Sequence, residues 1–312
     1  MKPDKKLLDE FQVNYPKDSD FSAYARLLQS QWREKKGYPI GKSAKGQVWG
    51  NYIDADYAKK EKVIFLTCNI QELVTQEIEK SKTEKTGALI SEPRIWNNLL
   101  SSQPLCFNLF GEFYFDLNLA TEFFKDLFPG KIDKVMAVKF EYSPGRGNTK
   151  YLGDRSAFDV FVEYRKGNKR GFIGIEVKYS ESLEEETKGQ AIKNFEKPEQ
   201  QYEHWTNTCG IFEDGSIDHL KVPPLSQIWR DHLLCIATKQ DYDEGFFVFL
   251  FPQKNSQCQE GVNNYQKYLK FDDEKQKCFY PLHLENFVNV LTKFSKEKWV
   301  TELKERYLGI EE

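Results

Sequence analysis

The sequence predicts an α/β fold: a mixed central sheet flanked by helices, laid down in the order αβββαβ, with a helical N-terminal elaboration. Three observations carry this expectation. Residues 133–179 hold three consecutive strand-like runs. Residues 225–239 (LSQIWRDHLLCIATK) have helical periodicity. Residues 245–251 (GFFVFLF) form an apolar run that suits a strand covered on both faces. The helix at 225–239 would be the crossover that returns the chain to the sheet.

Taken in order, residues 18–37 read as a helix. Asp18, Ser19 or Asp20 can cap it, Tyr24, Leu28 and Trp32 recur at helical spacing, and Gly37 can stop it. Residues 38–52, rich in Gly and Lys, read as a loop. A polar-faced helix is expected at 69–82 and another near 118–128, ended by Pro129-Gly130. The strands are 133–142, 157–164 and 172–179. Gly167-Asn168 between the last two marks a hairpin turn. A Gly-containing loop, 143–156, joins the first two. Helical signals return at 183–206, interrupted by Pro198, and 208–224 reads as an insertion. The tail from 283 to 308 reads as helix. The expected organisation is one compact unit with three parts: the N-terminal elaboration over 1–110, the core over 111–255 and a C-terminal helical extension over 256–312.

Composition narrows the function classes. The chain has 312 residues, with 39% apolar residues and 24 Phe, 16 Tyr and 6 Trp. The rings supply core area that a mean hydropathy of −0.67 would seem to deny. Net charge is −3, so the balance by itself signals no nucleic-acid partner and leaves a local basic surface to provide one. No run approaches the ~20 apolar residues of a membrane helix. MKPDKKLLDEF has a basic beginning but no apolar core after it, so the expected location is the cytoplasm. The six cysteines form no C-x-x-C pair and the four histidines show no ligand spacing. They argue against structural zinc and for reduced thiols.

The chemistry concentrates in Asp159, Glu176 and Lys178. Glu176 and Lys178 are two apart on a strand, so they share a face, while Ile173, Ile175 and Val177 point the other way. Charges on so apolar a strand are costly unless paired. Asp159 lies in AFDVFV on the adjoining strand; whether it shares Glu176's face depends on register. Two carboxylates and an ammonium on one sheet surface can hold Mg²⁺ and position a water against a phosphate. The alternative for the same residues is a cross-strand ion pair on a solvated face.

This pattern resembles the PD-(D/E)XK nuclease superfamily, the restriction-endonuclease-like fold. The resemblance rests on Asp159, then Glu176-Val177-Lys178 seventeen residues on, within the predicted order of elements. YLGDRSAFDVFVEYRKGNKRGFIGIEVKYSE, LLSSQPLCFNLFGEF and LLQSQWREKKGYPIG are similar to segments of a bacterial family of restriction-endonuclease-like proteins. The likeness covers roughly residues 20 to 255. Phe158 stands where the motif has proline.

The resemblance implies a restriction-endonuclease-like core and a Mg²⁺-dependent nuclease, with Mn²⁺ as a substitute, acting on DNA in restriction or bacterial defence. Asp159 and Glu176 become metal ligands and Lys178 the catalytic lysine. Glu141 is the favoured third ligand, ahead of Glu112 and Glu181. Gln227 and Arg230, one helical turn apart, are expected to face the site. Arg155 flanks it, with Lys166, Lys169 and Arg170 nearby. Residues 21–50 carry a local excess of five positive charges, from which Arg33, Lys35 and Lys36 are candidate phosphate contacts. A symmetric dimer would supply two sites for duplex cutting, and defence-system proteins are the implied partners. The competing function is a non-catalytic nucleic-acid-binding module of the same fold, a subunit of a larger complex.

Overall fold

In the computed structural model described here, residues 2–83, 90–184, 199–271, 273 and 278–309 are described. The chain opens with α1 (Lys5–Glu10) and α2 (Asp20–Lys35), the second capped by Ser19, whose hydroxyl accepts from the Ser22 N–H. A small hairpin follows, β1 (Ile40–Lys42) and β2 (Val48–Ile53). It replaces the loop expected over 38–52. Gly46 takes a left-handed φ of 80° in the turn, and Gly50, Asn51 and Ile53 of VWGNYI are buried while Val48 is exposed. The helices α3 (Ala55–Glu61), α4 (Cys68–Thr83), α5 (Arg94–Asn97), α6 (Ser102–Phe115) and α7 (Leu117–Leu127) complete the N-terminal half.

The strands β3 (Lys134–Tyr142), β4 (Phe158–Lys166) and β5 (Lys169–Val177) then run antiparallel, one after another. The β4–β5 turn is the expected Gly167-Asn168, with Gly167 at φ 55°. Glycine at the first turn position matches the strands' right-handed twist. After α8 (Glu199–Thr208), α9 (Ile217–Leu220) and α10 (Ser226–Thr238), the strand β6 (Glu244–Phe251) returns parallel to β5. The expected helix at 183–206 is seen only as α8; its stretch 185–198, with Glu185, Glu186 and Pro198, lies outside the described residues.

The C-terminal part corrects the expectation of a purely helical extension. After α11 (Ser256–Gln266), residues Phe279–His283 form β7, which pairs parallel with β6. Sheet order is β3-β4-β5-β6-β7, so β7 is an edge. Pro281 hid this strand in the sequence, yet an edge tolerates proline because one side of it needs no N–H donor. α12 (Leu284–Phe294) and α13 (Lys298–Leu308) end the described chain.

The sheet separates two cores. On one side Val160, Val162, Ile173, Ile175, Val177, Val248 and Leu250 pack with α6, α7, α12 and α13. On the other, Phe161, Phe172, Phe247 and Phe249 pack with α8, α10 and α11. The first cluster runs from Phe21 to Tyr307, so both chain ends share one core with the sheet. Arg306, fully buried, joins them: its Nε donates to Gln29 Oε1 at 3.1 Å and its guanidinium lies 4.3 Å from the Trp32 ring.

Glu92 ties α3, α4 and α5 together. It accepts from Lys82 at 2.7 Å, Lys59 at 2.9 Å and the Trp96 indole at 2.8 Å, and these bonds hold its carboxyl down at about 2. A depressed carboxylate stabilises the fold above its unfolded pKa and loses that contribution as pH falls. Glu92→Gln is therefore expected to cost up to about 1 kcal/mol near pH 7, since the site is partly solvated. The gap to wild type should narrow as pH falls from 4.5 towards 2. Urea unfolding across that range measures it; a gap that stays constant would contradict the assignment.

Candidate active site

The site lies on the α10 side of the sheet, near the C-terminal ends of the parallel strands. Register decides the question left open by sequence. Val160 faces Ile175, so one count further Asp159 faces Glu176. Phe140 faces Val160 and Tyr142 faces Phe158, so Glu141 falls opposite Asp159. Glu141, Asp159 and Glu176 thus form a row across β3, β4 and β5. Phe158 helps set it: its ring covers Gly174, where any Cβ would lie 2.3 Å from a ring carbon.

Asp159 Oδ2 accepts the Val177 N–H at 2.8 Å. Burial pushes its carboxyl well above the ordinary range, and the negative charges of Glu176 and Glu141 push further. Glu176 and Lys178 are 7% and 9% exposed and paired at 2.9 Å. The pair is therefore buried, unlike the ion pair on a solvated face that was the alternative. Burial alone would lower the Lys178 ammonium, but Glu176, then Glu181 and Asp159, outweigh it and raise its pKa. Lys178 thus stays charged and acts as a donor.

Gln227, the first of the crossover-helix candidates, donates to Glu176 Oε1 at 2.7 Å. Asp231, four residues on from Gln227 and not among the expected residues, also lies close to Glu176, with Arg230 beside it. Asp231 is 4% exposed, its Oδ2 has no hydrogen-bond partner, and burial and Glu176 push its carboxyl up while Arg230 and Lys178 oppose this. Helical spacing carries the signal that was missed, because i and i+4 share a face.

The other predicted residues are placed as follows. Glu141 has a left-handed φ of 46°, and its Oε1 accepts from Gln103 on the first turn of α6 at 2.7 Å. Such backbone outliers gather at functional sites. Glu112 lies near the other end of α6, ~13 Å of helix from Gln103. It accepts from Thr67 and Asn69, away from the row. Glu181 accepts the N–H groups of Tyr179 at 2.9 Å and Ser102 at 2.7 Å, and it supports the charge on Lys178. Arg155 is exposed on the 143–156 loop, where its carbonyl accepts from Arg146 at 3.3 Å.

Arg33 is only 6% exposed, and it donates to the carbonyls of Gly50 at 2.8 Å and Tyr38 at 2.7 Å. Lys35 pairs with Glu305 and Lys36 with Glu302. These three residues join α2 to β2 and α13. Sequence also gave no weight to Cys106, whose Sγ lies 3.7 Å from the Asp159 carbonyl. Burial pushes its thiol well up, and Asp159, Glu141 and Glu176 add to the push.

The donor set fits a hard divalent cation. Asp159 and Glu176 offer carboxylate oxygens side by side, and the crowding that raises Asp159 is what a cation relieves. Among the described residues, no three His, Cys, Asp or Glu side chains converge as a ready metal cage. Mg²⁺ does not need one, since it commonly takes one or two carboxylates and keeps its waters.

Comparison with known sequences adds one finding. The model of a family described as the PD-(D/E)XK nuclease superfamily matches residues 16–309. No curated protein and no solved structure matched.

Proposed function

Since the chain belongs to the PD-(D/E)XK nuclease superfamily, we propose that it hydrolyses phosphodiester bonds of DNA at the Asp159–Glu176–Lys178 row, using Mg²⁺ or Mn²⁺. The observation that carries this reading is the register: it sets both acids side by side, with a buried ammonium 2.9 Å from one of them. A metal held by Asp159 and Glu176 would acidify water and offset charge on a phosphate.

The protein's own groups prepare that step. The Val177 N–H orients Asp159, and Gln227 orients Glu176. Lys178 keeps its proton, so it serves as a fixed positive donor to a phosphate oxygen or to the attacking water, not as a base. Glu181 behind it supports that charged state. Arg155 on the nearby loop is a candidate contact to the DNA backbone. Restriction or another defence role is the biological setting in which we place this activity, with a symmetric dimer for cutting both strands.

Plasmid cleavage tests the reading. Wild type is expected to nick or linearise DNA with Mg²⁺ or Mn²⁺ and to stop in EDTA. Lys178→Ala should lower the rate ~10²-fold, the loss typical of one preorganised donor. Cleavage that survives EDTA would overturn the reading. DNA binding with no cleavage under any metal would favour the non-catalytic module.

A further inference from the structure

A cleft that begins two residues after Lys178 lies between the N-terminal elaboration and the core. Its volume is about 500 Å³, and Ser180, Glu181 and Ser182 line it directly after Lys178. The opposite wall comes from α2, β2 and the segment around α5, with Arg26, Asn51, Arg94 and Asn98 among its polar groups.

The hydrogen bonds of these groups sort them by character. Arg26 clamps Asp18 through Nε at 2.8 Å and Nη2 at 3.0 Å, so both Asp18 oxygens are used. Both Glu181 oxygens are taken by backbone N–H groups. Arg26 Nη1 donates to Asn51 Oδ1 at 3.0 Å, which fixes the amide orientation. Asn51 is fully buried and its Nδ2 has no partner. Asn98 is fixed the same way, its Oδ1 accepting from the Leu100 N–H at 3.1 Å. Arg94 is held at Nε by Ser101 at 2.9 Å and at Nη2 by an ion pair to Glu181 Oε1 at 3.5 Å, and its side chain is still 48% exposed. The Asp18 and Glu181 carboxylates and the two amide oxygens are thus engaged within the wall, while the Asn51 and Asn98 amide N–H groups and the exposed part of the Arg94 guanidinium face a ligand rich in acceptors. A buried donor without an acceptor is costly, and a ligand oxygen or ring nitrogen removes that cost.

We propose that this cleft holds one nucleotide of the substrate strand, next to the scissile phosphate. The phosphate and the base edge supply the acceptors, and Arg94 suits a phosphate. The volume lies in the range of small-molecule sites and exceeds what a bare phosphate would fill. Tyr15 and Tyr52, which also line the cleft, offer rings to the sugar and base. The inference rests on the nuclease reading above, since it takes the strand to lie across both sites.

The test is titration of the full chain in EDTA with a deoxynucleoside 5′-monophosphate, its nucleoside and inorganic phosphate, followed by calorimetry and NMR. Wild type should bind the monophosphate and its nucleoside more tightly than inorganic phosphate. Arg94→Ala and Asn98→Ala, checked for folding by thermal melting, should bind it at least tenfold more weakly. In cleavage, both should raise KM more than they lower kcat. Failure of wild type to bind the monophosphate, or unchanged binding by both variants, overturns the proposal. Inorganic phosphate binding as tightly as the monophosphate also overturns it, in favour of a bare anion site. Nucleotide binding of the expected pattern without any DNA cleavage would contradict the nuclease reading and leave the cleft assigned. Cleavage without nucleotide binding would do the reverse.

Discussion

Asp159→Asn is expected to abolish cleavage and, in metal-free buffer, to make the protein more stable than wild type. The loss of activity should be ~10³-fold or more, because the substitution weakens a metal ligand whose charge stabilisation is worth several kcal/mol. The gain in stability follows from the row. Burial, Glu176 and Glu141 all raise the Asp159 carboxyl above its ordinary value. A group raised in the folded state adds no penalty at pH below its unfolded pKa. The penalty grows as pH rises above that value and is complete above the folded pKa. Asparagine has no charge to suppress and keeps an oxygen for the Val177 N–H. A gain in stability is therefore expected near pH 8, shrinking towards pH 4. Mg²⁺ should raise the melting temperature of wild type and leave the variant unmoved, since a ligand stabilises only a state that binds it. Calorimetric melting with and without metal, beside the plasmid assay, reads all of this. A variant less stable than wild type at pH 8 would mean that the row is not strained by charge.

Trp229→Ala is expected to have the largest effect on stability, about 3–5 kcal/mol by loss of a buried ring and creation of a cavity. Trp229 is 1% exposed on α10, packs edge-on to Tyr202 at 5.2 Å and donates from its indole to Thr206 Oγ1 at 3.2 Å. It joins α10 to α8, and Tyr202 in turn donates to Asp154 Oδ2 at 2.5 Å. Total stabilities are ~5–15 kcal/mol, so the loss is a large fraction of the whole. Urea unfolding should show a lower midpoint with an unchanged slope. Trp229→Phe, which keeps most of the ring area, should recover more than half of the loss. A loss below about 1 kcal/mol for the alanine variant would show that α8 and α10 do not depend on this contact.

Local chemistry made much of the fold legible. The hairpin could be read because Gly167-Asn168 separates two runs with strand patterning. The two-residue spacing of Glu176 and Lys178 likewise placed them on one face, as the structure has them. The hairpin at 40–53 was hidden because Gly and Lys suggest a loop, and the burial of Gly50, Asn51 and Ile53 arises only from packing with distant segments. β7 was hidden by Pro281, whose tolerance depends on its being an edge strand. Arg33, Lys35 and Lys36 looked like a basic surface, because Glu302 and Glu305 on α13 lie more than 260 residues away. Asp231 went unread because a buried acid within an apolar helix gives no local signal beyond its i+4 spacing from Gln227.

By itself, then, the sequence determined which elements form and which side chains could do chemistry, because periodicity, turn residues and charge are properties of neighbours along the chain. Only the tertiary structure decided that Asp159 meets Glu176, that Gln227 reaches it, and that Lys35 and Lys36 pair with α13 while Arg33 turns inward. Those outcomes depend on strand register and on contacts between distant segments. A shift of one residue would have turned the same acids to the opposite face.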